Sequence, residues 1–187
     1  MVLKRFTYKN GLDIIAPLKC GTRWLEEKTN PIKMQEFNNV NLMQNPMTGV
    51  TNKTYWIYRD GKDHLVSALR TEIRDAIEFR KENTNSIIDE FINGIGTHWS
   101  PELYKCMYSY WNRVELNPIH LNDLSNLFIG IEYDSKNYDM HHYDKTKHTK
   151  EDIVKLVGSI KMNELYKLLD KDIIWLDKIF NKEHTLI

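Results

Sequence analysis

The sequence predicts an α/β fold, in which helices cover both faces of a parallel sheet. Short apolar or β-branched runs, typical of strands, alternate along the chain with longer segments that carry apolar residues at helical spacing. The 187 residues, 41% of them hydrophobic and 28% charged, have ordinary globular composition and are expected to form one compact domain over residues 1–187. In a sheet of this kind, ligands are expected at the carboxyl ends of the strands.

The first strand is predicted over residues 12–18, Leu-Asp-Ile-Ile-Ala-Pro-Leu, because this is a short apolar run. The run stops at residues 19–22, Lys-Cys-Gly-Thr, and residues 23–27 have helical composition, so a strand, a turn and a helix are expected in succession. Residues 2–8 alternate and meet the Asn-Gly pair at 10–11, which is a strong hairpin signal. An extra N-terminal strand is therefore expected to pair with the first.

The middle of the chain carries the clearest strand, residues 54–58, because the segment Thr-Tyr-Trp-Ile-Tyr is aromatic and β-branched. A weaker strand is predicted over 39–43. A helix capped by Asp63 is expected to follow the strong strand and to continue through Lys81.

Further elements complete the predicted alternation. Helices are predicted over 87–92, closed by Gly94, and from Pro101 to about residue 111, and a further strand over 118–121.

The last part of the chain predicts two consecutive helices. Thr149 followed three residues later by Asp152 resembles a capping box and indicates the start of a helix, which Gly158 interrupts. Leucine, isoleucine and phenylalanine then recur at amphipathic spacing over residues 165–180, so a second helix is expected there.

Composition excludes several classes of partner. The formal net charge is zero, since 26 basic residues balance 26 acidic ones, and nucleic-acid binding needs a basic face, so no nucleic acid is expected. No run of about 18 apolar residues occurs, and no apolar segment follows Lys4 and Arg5, which predicts a soluble, cytoplasmic protein without a membrane partner. Cys20 and Cys106 are too few for a disulfide framework and are interpreted as free thiols.

A first anion-binding motif lies at residues 17–24, Pro-Leu-Lys-Cys-Gly-Thr-Arg-Trp, where a buried strand is predicted to turn into a helix. A glycine there lets backbone amides approach a ligand, and Lys19, Thr22 and Arg23 add positive charge and a hydroxyl. This arrangement favours a phosphate or sulfate. A nucleoside triphosphate loop is disfavoured, because GxxxxGK[ST] places its lysine after the glycine and here Lys19 precedes Gly21. An ordinary turn with solvated charges is the alternative.

A second motif follows the strong strand. Arg59 stands at its carboxyl end, and Ser67, eight residues later, is predicted in the first turn or so of the next helix, so both side chains could bind one anion. A bidentate guanidinium contact contributes roughly 1.5–3 kcal/mol and a serine hydroxyl about 1 kcal/mol. The alternative interpretation is that Arg59 is an ordinary surface arginine and that Ser67 is an unrelated serine of the helix.

Together the two motifs resemble those of sulfotransferases that use 3'-phosphoadenosine 5'-phosphosulfate. Residues 19–25, Lys-Cys-Gly-Thr-Arg-Trp-Leu, are similar to the 5'-phosphosulfate loop of that family, and Arg59 and Ser67 match the pair that holds the 3'-phosphate of the donor. The resemblance implies a P-loop-like three-layer α/β/α fold with a central parallel sheet of four or five strands. It also implies adenosine 3',5'-bisphosphate as product. The implied donor-binding residues are Lys19, Cys20, Gly21, Thr22, Arg23, Trp24, Arg59 and Ser67.

Weaker similarities to Golgi carbohydrate sulfotransferases cover residues 98–101, Cys106, residues 164–166 and Asp172. They imply a hydroxyl acceptor, with a carbohydrate as the favoured class. A membrane anchor like that of the Golgi members is not expected from these residues, so the acceptor need not be theirs. It is short for the family, so the acceptor pocket is expected to be open or to be completed by a second subunit in a homodimer.

The third nucleotide contact of the family has no clear counterpart. Cytosolic members carry an Arg-Lys-Gly segment near the C-terminus, and this triplet is absent here. Lys145, Lys147 and His148 are the candidates for that contact.

The resemblance also assigns chemical roles. Lys19 would stabilise charge on the departing phosphate, a role in which preorganised donors contribute about 3–4 kcal/mol. Glu36 is the favoured base, because family members that modify polysaccharides or tyrosine use a glutamate shortly after the first helix. His98 and Glu26 are the alternatives, and His98 could equally be a packed, hydrogen-bonded structural residue. Gln44 stands where cytosolic members have a histidine, and an amide cannot accept the proton.

No metal is expected, because His141 and His142 are adjacent and no further zinc-ligand spacing accompanies them. Cys20 is interpreted as a small residue of the loop and not as a nucleophile. Two other functions remain open from the sequence. One is a small nucleotide kinase or related NTPase, which the displaced lysine disfavours. The other is a non-catalytic protein that binds a nucleotide or a glycan.

Overall fold

The computed structural model describes residues 2–38, 53–80, 83–93, 98–99, 117–131 and 149–169. The chain forms two compact units. The first comprises Met1–Arg59 and Ser109–Lys147, and the second comprises Asp60–Tyr108 and His148–Ile187. The described strands all belong to the first unit, and four of the five described α-helices belong to the second.

The first unit is built on a five-stranded sheet in the order β3-β1-β2-β4-β5. The strands are β1 (Val2–Thr7), β2 (Asp13–Pro17), β3 (Lys33–Asn38), β4 (Thr54–Tyr58) and β5 (Asn117–His120). β2 pairs in parallel with β4, and β4 with β5, whereas β1 is antiparallel to both β2 and β3. β3 therefore runs in the same direction as β2, β4 and β5.

The α/β class is confirmed, and the five-stranded sheet is mixed: β2, β4 and β5 are parallel, whereas β1 is antiparallel to its two neighbours. The predicted N-terminal hairpin is confirmed as β1 and β2, and its tight turn forces β1 to run against the other four strands. Gly11 in this turn has φ of 80°, a left-handed conformation that glycine adopts without strain.

Helix α1 (Thr22–Lys28) covers one face of the sheet. The hydrophobic core on this face of the sheet consists of Phe6, Tyr8, Leu12, Ile14, Ala16, Cys20, Trp24, Leu25, Ile57, Leu121 and Leu124. The last two belong to a 3-10 helix, Leu121–Leu127, that follows β5. Because strand residues alternate between faces, Leu3, Ile15 and Trp56 lie on the opposite face, where they too are buried.

All five residues of β2 are buried, which explains why its sequence is a nearly continuous apolar run. The exception, Asp13, is paired with Arg5 at 2.7 Å and accepts a hydrogen bond from the Thr7 hydroxyl at 2.6 Å. A buried carboxylate needs such partners, because desolvation alone would disfavour its charge.

The second unit contains α2 (Gly61–Asp75), α3 (Thr84–Ile92), α4 (Lys150–Val157) and α5, which covers residues 159–169 of the described chain. α2 packs against α3 and α4. Asp60, and not Asp63, caps α2, and the helix gives way to a π-helical turn, Ala76–Arg80, before the predicted end. α3 begins three residues earlier than expected, since Asn83 provides its cap.

The predicted capping box at Thr149 and Asp152 is confirmed, as is the break at Gly158, where φ is 81°. β5 lies one residue before the predicted 118–121, and β3 was not predicted. The expectations for 39–43, Gly94, 101–111 and 170–180 lie outside the described residues. Among the helices that the structure describes, none is long and apolar enough to cross a membrane.

Candidate functional site

The chain leaves β2 through a constrained loop at residues 18–21 before α1 begins. Lys19 has φ of 69° and Gly21 has φ of 74°, so two residues of this short loop are left-handed. The Cys20 amide donates to the Pro17 carbonyl at 3.1 Å and closes the turn. A left-handed conformation costs a residue with a Cβ roughly 1–2 kcal/mol, so the surroundings must hold Lys19 in place.

Arg59 provides one of these restraints. It follows β4, the parallel neighbour of β2, so the two strands end side by side. Its Nη1 donates a hydrogen bond to the Lys19 carbonyl at 2.7 Å. The structure therefore brings together Lys19 and Arg59, which the sequence analysis assigned to two separate motifs.

Cys20 and Trp24 anchor the loop in the core. Cys20 is 1% exposed, and burial raises the pKa of its thiol to about 12, although the nearby charge of Arg59 acts in the opposite direction. The thiol is thus neutral at physiological pH, which disfavours a nucleophilic role. Trp24 is 2% exposed, and its ring meets that of Phe128 edge-on at 5.5 Å.

Thr22 and Arg23 open helix α1 with different surroundings. Thr22 is buried, whereas Arg23 is exposed and its Nε donates to Glu27 at 2.9 Å. Gly21 is the N-cap residue, and no side chain caps the helix.

Ser67 belongs to the second unit, whereas Arg59 belongs to the first. It is the seventh residue of α2, one turn further into the helix than the sequence suggested, and it is 9% exposed. Its carbonyl accepts a hydrogen bond from the Thr71 hydroxyl at 3.2 Å. Convergence of Arg59 and Ser67 on one anion stays a prediction.

Two of the three candidate bases share one lysine. Glu36 lies on β3 directly opposite Lys4 of β1, and Lys4 Nζ is 3.7 Å from Glu36 Oε2. The same Nζ is 2.6 Å from Oε1 of Glu26 on α1. The Glu36 side chain is 56% exposed, so solvent and ligands can reach it, and that of Glu26 is 31% exposed.

Lys4 was missed by the sequence analysis. Alternation in residues 2–8 places it on the same face as Phe6, but its partner strand β3 was not predicted, so nothing indicated what it would meet.

His98, the third candidate base, is held by a buried glutamate of the second unit. Oε1 of Glu72 accepts from the His98 backbone amide at 2.6 Å and lies 3.1 Å from His98 Nδ1. The Glu72 residue is 4% exposed. Next to His98, the ring of Trp99 stacks on Phe91 at 6.2 Å. These contacts favour the packed, hydrogen-bonded alternative for His98.

Glu72 was also missed, although a signal exists. It falls within the apolar stripe of α2, between Leu69 and Ala76, where a solvated charge is not expected.

Tyr166 is the described aromatic of the similarity at residues 164–166, and it lies on α5. Lys62 Nζ is 5.1 Å from its ring centroid. Burial, followed by the charges of Asp60 and Asp63, raises the pKa of the Tyr166 hydroxyl.

Several expectations lie outside the described residues. They concern Gln44, Cys106, His141, His142, Lys145, Lys147, His148 and Asp172. Within the described ranges, no three histidine, cysteine, aspartate or glutamate residues are grouped to hold a metal ion.

The comparisons with known proteins identify no relative: no family model matches the chain, and no curated protein or solved structure is significantly similar to it.

Proposed function

We propose that the chain is a sulfotransferase that moves a sulfuryl group from 3'-phosphoadenosine 5'-phosphosulfate to a hydroxyl, with carbohydrates as the favoured acceptor class. One observation carries the proposal: Arg59 donates to the carbonyl of left-handed Lys19, so the ends of two parallel strands share one cationic loop. Strained backbone that is held by a neighbouring charge is typical of ligand-binding sites.

The residues present fit an anionic donor. Residues 17–24 contain Lys19 and Arg23 and no acidic residue, and Arg59 adds a second guanidinium at the same edge of the sheet. Cationic and backbone N–H donors are the groups that sulfate and phosphate oxygens require.

The proposal includes the P-loop-like three-layer architecture and a cytoplasmic location. Support for three layers comes from the sheet, whose α1 face and opposite face are both buried. The free, buried thiol of Cys20 is compatible with a reducing compartment.

The donor, when bound, supplies an activated sulfuryl group and a phosphate leaving group. Lys19 would neutralise charge that grows on the leaving phosphate, and Arg59 would hold the 3'-phosphate of the donor. Glu36 would accept the proton of the acceptor hydroxyl, and its exposure leaves it accessible to an acceptor from solvent.

The first experiment is calorimetric titration with adenosine 3',5'-bisphosphate, compared with ATP plus magnesium. We expect the bisphosphate to bind in the micromolar range and ATP to bind more weakly, since the loop lacks the lysine position of an ATP-binding loop. Tighter binding of magnesium ATP would overturn the proposal and favour a kinase or NTPase.

The second experiment tests catalysis with labelled donor and a panel of sugar, phenol and lipid alcohols. Glu36→Gln is expected to abolish turnover while leaving bisphosphate affinity nearly unchanged, because the amide keeps the shape of the side chain but cannot accept the proton. Glu90→Gln, at an exposed glutamate of α3, is the matched control and should retain turnover. Bisphosphate binding without any sulfated product would leave a non-catalytic binding protein.

A further inference from the structure

Strand β1 carries Lys4, a lysine to which the proposed reaction assigns no role. β1 lies between β2 and β3, so Lys4 stands opposite Ala16 on one side and Glu36 on the other. Helix α1 contributes Glu26 to the same ammonium group. The Glu26–Lys4–Glu36 cluster thus joins three elements of the first unit and carries a net charge of about −1 when all three groups are ionised.

The two contacts of Lys4 differ in strength. The Lys4 side chain is only 16% exposed, so its ammonium group needs a close partner, and Glu26 Oε1 supplies one at 2.6 Å. Glu36 Oε2, at 3.7 Å, is within ion-pair range but beyond a short hydrogen bond. Glu26 therefore holds the ammonium group of Lys4 in place. Lys4 in turn restrains the Glu36 carboxylate through a longer and weaker ion pair.

The weaker of the two ion pairs suits Glu36, because a catalytic base must also form a hydrogen bond with the acceptor hydroxyl. If Lys4 were absent, the two carboxylates would repel each other, and the more exposed Glu36 would swing toward solvent. With Lys4 present, Glu36 keeps one orientation while its side chain, 56% exposed, stays accessible to an acceptor hydroxyl.

The cluster also lies near the constrained loop. The amide of Leu18, next to Lys19, donates to the Val2 carbonyl at 3.3 Å, two residues before Lys4. The start of β1 and the loop are therefore in direct backbone contact.

We infer that Lys4 is a positioning residue, which holds the carboxylate of Glu36 in place for proton transfer and is itself held by Glu26. This inference rests on the proposed function. Lys4 touches neither donor nor acceptor in this role, so its loss should lower kcat and leave donor binding intact.

The test measures kcat, KM for the acceptor and bisphosphate affinity in four proteins: wild type, Lys4→Met, Lys4→Arg and Lys33→Met. Lys4→Met should lower kcat by on the order of 10- to 100-fold, the range expected when a reacting group is misplaced by about 1 Å. Lys4→Arg should restore kcat to within a few-fold, since it returns the positive charge. Lys33→Met removes an exposed lysine of β3 that stands opposite Thr7, on the other face from Lys4, and should leave kcat unchanged.

Lys4→Gln is the second variant if Lys4→Met fails to fold, as judged by circular dichroism. It keeps a hydrogen-bond donor and removes only the charge, and it should also lower kcat.

The outcomes separate the two proposals. A wild-type protein that yields no sulfated product overturns the proposed function. Wild-type turnover with an unchanged kcat in Lys4→Met overturns only the role of Lys4. So does a loss of bisphosphate affinity parallel to the loss of kcat, or a failure of arginine to rescue.

Discussion

Lys19 meets two demands at one position. Its backbone is left-handed, with φ of 69°, and its ammonium group is proposed to act on the leaving phosphate. Glycine would suit the first demand and only a cation the second, so the two can be separated by substitution.

We predict that Lys19→Gly unfolds at a higher urea concentration than Lys19→Ala. Both variants lack the charge, but alanine keeps the strained conformation, whereas glycine adopts it freely. The difference in the free energy of unfolding should be about 1 kcal/mol. Both should lose most of their turnover. Equal stability of the two variants would show that the loop rearranges when the lysine is replaced.

At the same scale, the sequence could predict part of the candidate site. Lys19, Gly21 and Arg59 were identifiable because each follows a recognisable strand, and parallel strands end at one edge. Lys4 and Glu72 could not be assigned a role, because each depends on a partner distant in sequence, Glu36 in one case and His98 in the other.

At the scale of elements, caps were easier to predict than pairings. The capping box of α4 is read from two residues three apart, and both of its reciprocal hydrogen bonds are present. β3 escaped prediction because its sequence, Lys-Met-Gln-Glu-Phe-Asn, spaces its two apolar residues three apart and does not alternate. Pairing with β1 determines that strand more than its own pattern does.

Helix α4 offers a prediction about its cap. Thr149→Ala should lower the free energy of unfolding by about 1 kcal/mol, because the amide of Asp152 loses its acceptor at the N-terminus of the helix. Thr149→Ser retains a hydroxyl and should stay within a few tenths of a kcal/mol of wild type. Thermal or urea unfolding followed by circular dichroism measures both. A loss in the serine variant as large as in the alanine variant would contradict a capping role.

At the scale of the whole molecule, the fold class could be predicted from the sequence, but the directions of the strands could be predicted only in part. Alternating strands and helices indicated α/β, and the Asn-Gly turn indicated a hairpin, but the position of the hairpin within the sheet depends on β3. The chain passes between the two units three times, and the first passage follows Arg59, where no linker composition marks a boundary.

The free energy of unfolding is expected to depend on pH through two buried groups, the Cys20 thiol and the Tyr8 hydroxyl. Burial raises the pKa values of Cys20 and Tyr8 to about 12, above their ordinary values of 9.0 and 10.0. Above pH 9 the unfolded chain loses these protons first, so stability is present at neutral pH and is lost as pH rises toward 12. We expect urea unfolding to show a progressive loss of stability between pH 9 and 11, on the order of a few kcal/mol.

Tyr8→Phe checks the origin of this loss. The variant lacks the hydrogen bond with the Thr29 hydroxyl, so it should be less stable at pH 8 by about 1 kcal/mol but should lose less on going to pH 11. Tyr55→Phe, at a half-buried tyrosine of β4, is the matched control. An identical alkaline loss in wild type and Tyr8→Phe would exclude Tyr8 as a contributor.

The hydrogen bond from Arg59 to the Lys19 carbonyl complicates any mutagenesis at position 59. A neutral replacement removes a charge and at the same moment releases the adjoining turn, so a weakened affinity would combine both effects. Alanine scanning would then overstate how strongly the guanidinium grips a bound molecule. Comparing the ligand-free variants first, through the amide chemical shifts of residues 18–22, would separate a lost contact from an altered shape.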